Sequence, residues 1–205
     1  MKSKDYTNIV PPQVTGKDVE ADASIELDND TAAIDFYEIA KKRLLDVNQW
    51  HELAGLISAK FQLTDENGNE LHDEVQQGNY IRVDIPGPGS KEGDGYDRVF
   101  VEELSEVAFE NIQSIGFRVR PSTNPKEGSE HIAHFYDPAA TSNFMVSREG
   151  IVVTATIIDR NIKPNDDAES VTDKIRHTVA GMAAIGSFSK MQWQNLAEGL
   201  IKKEE

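Results

Sequence analysis

Ser142-Asn143-Phe144-Met145-Val146-Ser147 and Ile151-Val152-Val153-Thr154-Ala155-Thr156-Ile157-Ile158-Asp159 flank the dipeptide Glu149-Gly150. β-branched and aromatic residues crowd both runs, and a two-residue turn between such runs predicts an antiparallel hairpin. An acidic loop follows, and from Glu169 onward the apolar spacing changes to three and four. Val171, Ile175, Val179, Met182 and Ile185 form one stripe, and Trp193, Leu196, Ala197, Leu200 and Ile201 a second. The chain therefore closes with one long helix, with Gly186-Ser187 as the point where it bends or breaks. Its middle, Ala180-Gly181-Met182-Ala183-Ala184-Ile185-Gly186, concentrates small residues. These let another surface approach closely or leave room beside the helix.

Upstream of the hairpin the pattern is mainly that of strands. Tyr80 to Ile85 alternates, with Ile81, Val83 and Ile85 on one face and Tyr80, Arg82 and Asp84 on the other. Pro86-Gly87-Pro88-Gly89 ends it, since proline offers no ladder N–H and glycine tolerates a sharp bend. Tyr96 to Glu103, Ile115 to Arg120 and His131 to Tyr136 continue the series. Phe61 and Leu63 precede Asn67-Gly68, and Leu71 and Val75 follow, which predicts another hairpin. Before it, Ala33, Phe36, Tyr37, Ala40, Leu44 and Val47 mark one face of a helix running to about Asn48, capped by Asp28 or Asp30. Trp50 and Leu53 pack just beyond it. A short strand Ser24 to Leu27 precedes the helix, and residues 1–22, with Pro11-Pro12 and Gly16, read as a flexible lead-in to a single domain over 23–205. The fold class is α+β: a curved antiparallel sheet of six or seven strands with an N-terminal helix and a long C-terminal helix packed on it. A β-barrel or sandwich with flanking helices is the alternative.

Composition narrows the function classes. Lys and Arg number 21 against 36 Asp and Glu, a formal charge of -15 over 205 residues. Such a field repels phosphate backbones, so no nucleic acid is expected as a partner, nor docking on an anionic membrane. A basic protein partner or a hydrophobic small molecule remains open. The absence of cysteine excludes disulfides, thiolate metal sites and cysteine nucleophiles. Residues 1–20 carry no apolar leader core and no run of 18 apolar residues occurs, so a cytoplasmic protein without membrane insertion is the expectation.

The candidates for chemistry are few. Asp65, Asn67 and Asn69 imitate the opening of a calcium-binding loop, but Glu70 stands where that loop needs glycine and Gln76 where it needs glutamate. The glycine-rich run 86–95 lacks the order of a phosphate-binding loop and reads as a hairpin connection or a mobile lip beside a pocket. His131, His134 and Asp137 lie three apart, a spacing that sends them to opposite faces of a strand, so no metal and no cofactor is expected. Arg82, Arg98, Arg118 and Arg120 fall in strands. On a shared face they can hold a carboxylate or phosphate beside Tyr80, Tyr96 or Tyr136, or they can pair across strands with Asp84, Asp97, Glu102 and Glu103. Nucleophile signatures are absent. The adjacent acids Glu102-Glu103 should point to opposite faces of their strand.

This order of elements, over about residues 23–203, resembles the START-like helix-grip fold, in which a curved sheet wraps the terminal helix around a cavity. The resemblance implies binding of a hydrophobic or amphipathic small molecule, with cyclase-like or hydrolytic chemistry in some relatives. The residues expected at such a cavity are Arg82, Tyr96, Arg118, His134, Tyr136, Gly181, Met182 and Ile185. An enzyme would place Arg82, His134 or Asp137 there, and an interaction module would instead use the acidic surface.

Overall fold

The computed structural model describes residues 4–55, 59–84, 96–124, 136–163 and 179–204, with backbone alone for 179–188. Strand β1 (Lys17–Glu26) leads into α1 (Asp30–Leu45), a 3-10 turn (Val47–Gln49) and α2 (Trp50–Ala54). Six further strands follow: β2 (Lys60–Thr64), β3 (Tyr80–Asp84), β4 (Asp97–Phe109), β5 (Ile112–Pro121), β6 (Thr141–Glu149) and β7 (Val152–Ile162). Helix α3 (Val179–Leu200) ends the chain. All neighbouring strands are antiparallel. The sheet order is β1-β7-β6-β5-β4-β3-β2, so β1 and β2 are free edges and the sheet does not close into a barrel. Helices α1 and α2 carry the chain from one edge to the other, and a simple meander brings it back. This is the helix-grip arrangement.

Period-two alternation decides which side chains meet the helices. Ile81, Val83, Val99, Val101, Phe117, Val119, Phe144, Val146, Val153, Ala155 and Ile157 share the main core with α1, α2 and the Trp193, Leu196, Ala197, Leu200 and Ile201 stripe of α3. We call this the inner face. At its centre Trp50 lies 4.7 Å from Phe144, 5.2 Å from Phe61 and 5.9 Å from Phe117, ring centre to ring centre. Phe144 in turn lies 5.3 Å from Trp193. The indole N–H of Trp50 donates to the Arg43 carbonyl at 3.1 Å, so its one polar atom is satisfied inside the core.

Several boundaries differ from the sequence reading for local reasons. The N-cap of α1 is Asn29, not Asp28 or Asp30: its extended backbone lets the side chain accept from the Ala32 amide at 2.9 Å. α3 runs through Gly186-Ser187 as one continuous helix. At Asn67-Gly68 a turn forms with Gly68 at φ 73, but it closes only a single bridge, Thr64 to Glu70. The ladder partner of β2 is β3 instead. The Asp65 carboxylate accepts from the amides of Asn67 and Asn69, which uses the oxygens that a calcium ion would need. The first strand begins at Lys17, well before Ser24. The residues ahead of it lie along the outer face, where Ile9 is buried against Met145 and Ile158. Asn161 accepts from the amides of Val14 and Thr15 and anchors that segment.

A close backbone approach ties α3 to α2. A Cβ on Gly199 would come within 2.7 Å of the Leu53 carbonyl carbon, and the same peptide's oxygen would be nearer still. Gly199→Ala recovers up to about 1 kcal/mol of helix propensity. Against this, a backbone wall cannot rotate away, and overpacking costs about 1 to 3 kcal/mol. The variant is expected to melt lower than the parent in a thermal scan. An equal or higher melting temperature would show that α2 does not press on α3.

Candidate functional site

The arginines expected at a cavity stand on the outer face. Arg82 alternates with Ile81 and Val83, and pairs across the ladder with Arg98. Its guanidinium lies 4.8 Å from the ring centre of Tyr96 and bonds Glu70 at 2.8 Å. Arg118 lies between the inward Phe117 and Val119, and donates to the Ile9 carbonyl at 2.6 Å, to Glu102 and to Glu103. Arg120 joins Glu102 at 2.9 Å. Arg82, Tyr96 and Arg118 therefore do not sit between sheet and helix.

Glu102 and Glu103 correct a further expectation. Adjacent residues of a regular strand oppose each other, but the β4–β5 register shifts between Val101 and Glu103. This bulge turns both carboxylates toward one guanidinium. Burial opposes the charged form of Glu102, yet the hydrogen bonds from Arg120 and Arg118 outweigh it and hold its carboxyl below the ordinary range.

Asp137 accepts from the Ala139 amide at 2.7 Å and so stiffens the turn before β6. His131 and His134 lie outside the described residues. Gly181, Met182 and Ile185 lie on α3, and their side chains are also outside what is described. Among the described residues no group of three or more His, Asp and Glu side chains could hold a metal ion. No helix among them is long and apolar enough to cross a membrane.

Tyr136 is the one member of the expected set with a described side chain at the inner face. Its hydroxyl is 3.5 Å from the Ser189 hydroxyl on α3. It borders a small cleft where the ends of β4, β5, β6 and β7 meet, together with Val99, Val119, Pro121, Ala140, Thr141, Ser142, Asp159 and Ile162. Burial raises the Tyr136 phenol, the Ser189 hydroxyl lowers it, and the charges of Asp159 and Asp97 raise it again. The phenol stays neutral at physiological pH.

Asp159 is absent from the expected set and is the most unusual group in the cleft. It continues the inward series Val153, Ala155 and Ile157, and is only 2% exposed. Its Oδ2 accepts from the Trp193 indole N–H at 2.8 Å. Its Oδ1 has no hydrogen-bond partner among the described residues. Burial pushes the carboxyl up to about 6, against the pull of Ser142, Trp193 and Arg160. Ser142 is its direct cross-strand neighbour. The sequence does hold a signal for this: Asp159 shares the parity of Val153, Ala155 and Ile157 along β7, and Trp193 stands on the buried stripe of α3. An apolar wall with converging polar groups, one of them perturbed, is the general form of a small-molecule site.

No protein-family model matches the chain, and no curated protein sequence matches it. Among solved structures, a protein of Thermus thermophilus is similar over 90% of this chain and 97% of its own, with 9% identity and a TM-score of 0.39. Norcoclaurine synthase from Thalictrum flavum is similar over 94% and 96%, with 8% identity and a TM-score of 0.32. A protein of Mycobacterium smegmatis is similar over 85% and 88%, with 14% identity and a TM-score of 0.36.

Proposed function

We propose that the protein binds a small, largely apolar molecule at the cleft where the ends of β4 to β7 meet. The observation that supports this is the convergence of Tyr136, Ser142 and Asp159 on a space otherwise walled by Thr141 and the apolar Val99, Val119, Pro121, Ala140 and Ile162. Among the described residues, Trp50, Phe61, Phe117, Phe144 and Trp193 fill the centre of the inner face ring against ring. Binding therefore belongs at the polar end and not along the whole groove. The described part of the cleft has a volume of about 10 Å³, enough for one water-sized group, so it takes the head of a ligand and leaves the body outside it.

Native mass spectrometry of the purified protein, with binding of the neutral dye Nile red, tests the proposal. A co-purified small molecule, or saturable dye binding weakened by Val119→Trp, is expected. A ligand-free protein that binds no dye would remove the binding reading.

A further inference from the structure

We propose that the buried end of the cleft is a subsite for a primary ammonium head, so that the preferred ligand is an amine whose apolar body stays outside the cleft. This rests on the binding reading above and deepens it. A buried carboxylate oxygen without a donor is costly, and native proteins nearly always supply one. The Oδ1 of Asp159 makes no hydrogen bond of ordinary geometry among the described residues, although the Ser142 hydroxyl stands close enough to lower the carboxyl, and the Trp193 indole already serves Oδ2. The neighbouring cation does not fill the gap: the Arg160 guanidinium turns to Asp18 on β1, 3.5 Å away.

Size and chemistry narrow the missing group. A volume of about 10 Å³ admits one water-sized group and no ring. An ammonium has that size, brings three donors and neutralises the buried charge. A hydroxyl brings one donor and no charge, and a carboxylate adds a second negative charge. The Tyr136 phenol, held neutral, and the Ser142 hydroxyl stand at the same space and can accept the remaining ammonium protons.

The groups around Asp159 also fix the pH behaviour. Ser142 faces it from β6, Val19 from β1 and Trp193 from α3. Tyr136 feels its charge together with that of Asp97 on β4, and Arg160 is the nearby cation. Since its carboxyl sits at about 6, amine affinity should start to fall as the pH drops below that value.

Displacement of Nile red by decylamine, decanol and decanoate, below their micelle concentrations, tests the inference on the full chain. Decylamine is expected to bind about tenfold or more tightly than decanol at pH 7.5, as a charge-assisted bond allows. The gap should close in Asp159→Asn and, in the parent, narrow at pH 5 while decanol affinity holds. The pH series on the parent decides the matter even where the variant does not fold. Equal affinity for amine and alcohol would mean that water alone fills the subsite, and would overturn the amine preference while leaving small-molecule binding intact. An amine preference that survives in Asp159→Asn would assign it to the net negative surface and overturn the inference equally. Binding of neither dye nor any of the three probes would defeat the binding proposal itself.

Discussion

Trp50→Ala is expected to lower the free energy of unfolding by about 3 to 5 kcal/mol, the range for removing a large aromatic from a packed core. Three features place it at the upper end. Trp50 is fully buried, it touches Phe61, Phe117 and Phe144 from three different strands, and its N–H satisfies the Arg43 carbonyl. Those strands are held apart by the sheet ladder, so they cannot close over the void. Deletion also frees α2, whose other large apolar residue, Leu53, is only partly buried. Against a typical total of about 5 to 15 kcal/mol the variant should be near the limit of folding. Urea unfolding of parent and variant measures the loss directly, and Trp50→Phe separates the hydrogen bond from the packing. A loss below about 1 kcal/mol would mean that the aromatic cluster is not the centre of the core.

The parts of the fold that were legible in the sequence are those with a strong local pattern. Tyr80–Asp84 shows apolar and polar residues at period two, the β6–β7 hairpin shows two runs crowded with β-branched and aromatic residues around a turn, and the second stripe of α3 shows apolar residues at three and four; all three form as expected. The β4–β5 hairpin did not stand out, because its outer half, Ser105–Phe109, projects beyond the packed sheet. Its residues are at least partly exposed on both sides, and Phe109 is 58% exposed. A strand without a buried face has no period to detect. The bulge at Glu102 was hidden for a different reason: it is a property of the pairing of two strands, and neither strand's own sequence encodes it. Close helix contact was sought at Ala180–Gly186, while the described approach is at Gly199, whose partner is a backbone carbonyl and therefore leaves no trace in side-chain pattern.

The candidate site was only half visible for the same reason. Tyr136 was named from its residue type, and Arg82, Tyr96 and Arg118 likewise, but face is decided by register. Alternation with Ile81, Val83, Phe117 and Val119 puts both arginines on the outer side, where acidic partners and the segment around Ile9 engage them. Asp159 could have been placed by parity from Val153, Ala155 and Ile157. What parity does not give is the burial that raises its carboxyl or the indole that opposes it, because these come from tertiary packing, with Trp193 lying 34 residues on.

Asp159→Asn should make the protein more stable at pH 8, by an amount on the order of 1 to 3 kcal/mol. The folded carboxyl is raised to about 6 from an ordinary 3.8, so between those values the native state holds a proton that the unfolded chain has released. Stability then falls as the pH rises, and the contribution present below about pH 4 is lost once the pH passes about 6. A shift of about two units corresponds to roughly 3 kcal/mol at most, and relaxation of the site reduces it. Asparagine keeps the shape, still accepts from the Trp193 indole, and presents an amide N–H to Ser142 in place of a charged oxygen. The measurement is unfolding free energy in urea from pH 4 to pH 8 for both proteins. Their difference should be small at pH 4, open between about pH 4 and 6 and stay level above. A difference that does not change with pH would mean that the carboxyl titrates alike in the folded and unfolded chain, its burial already offset, which would remove the reason for expecting an amine. The two consequences of the substitution oppose each other: the oxygen whose missing donor weakens the empty protein is the one that a bound ammonium would satisfy, so the variant that gains stability should be the variant that loses its preference for amines.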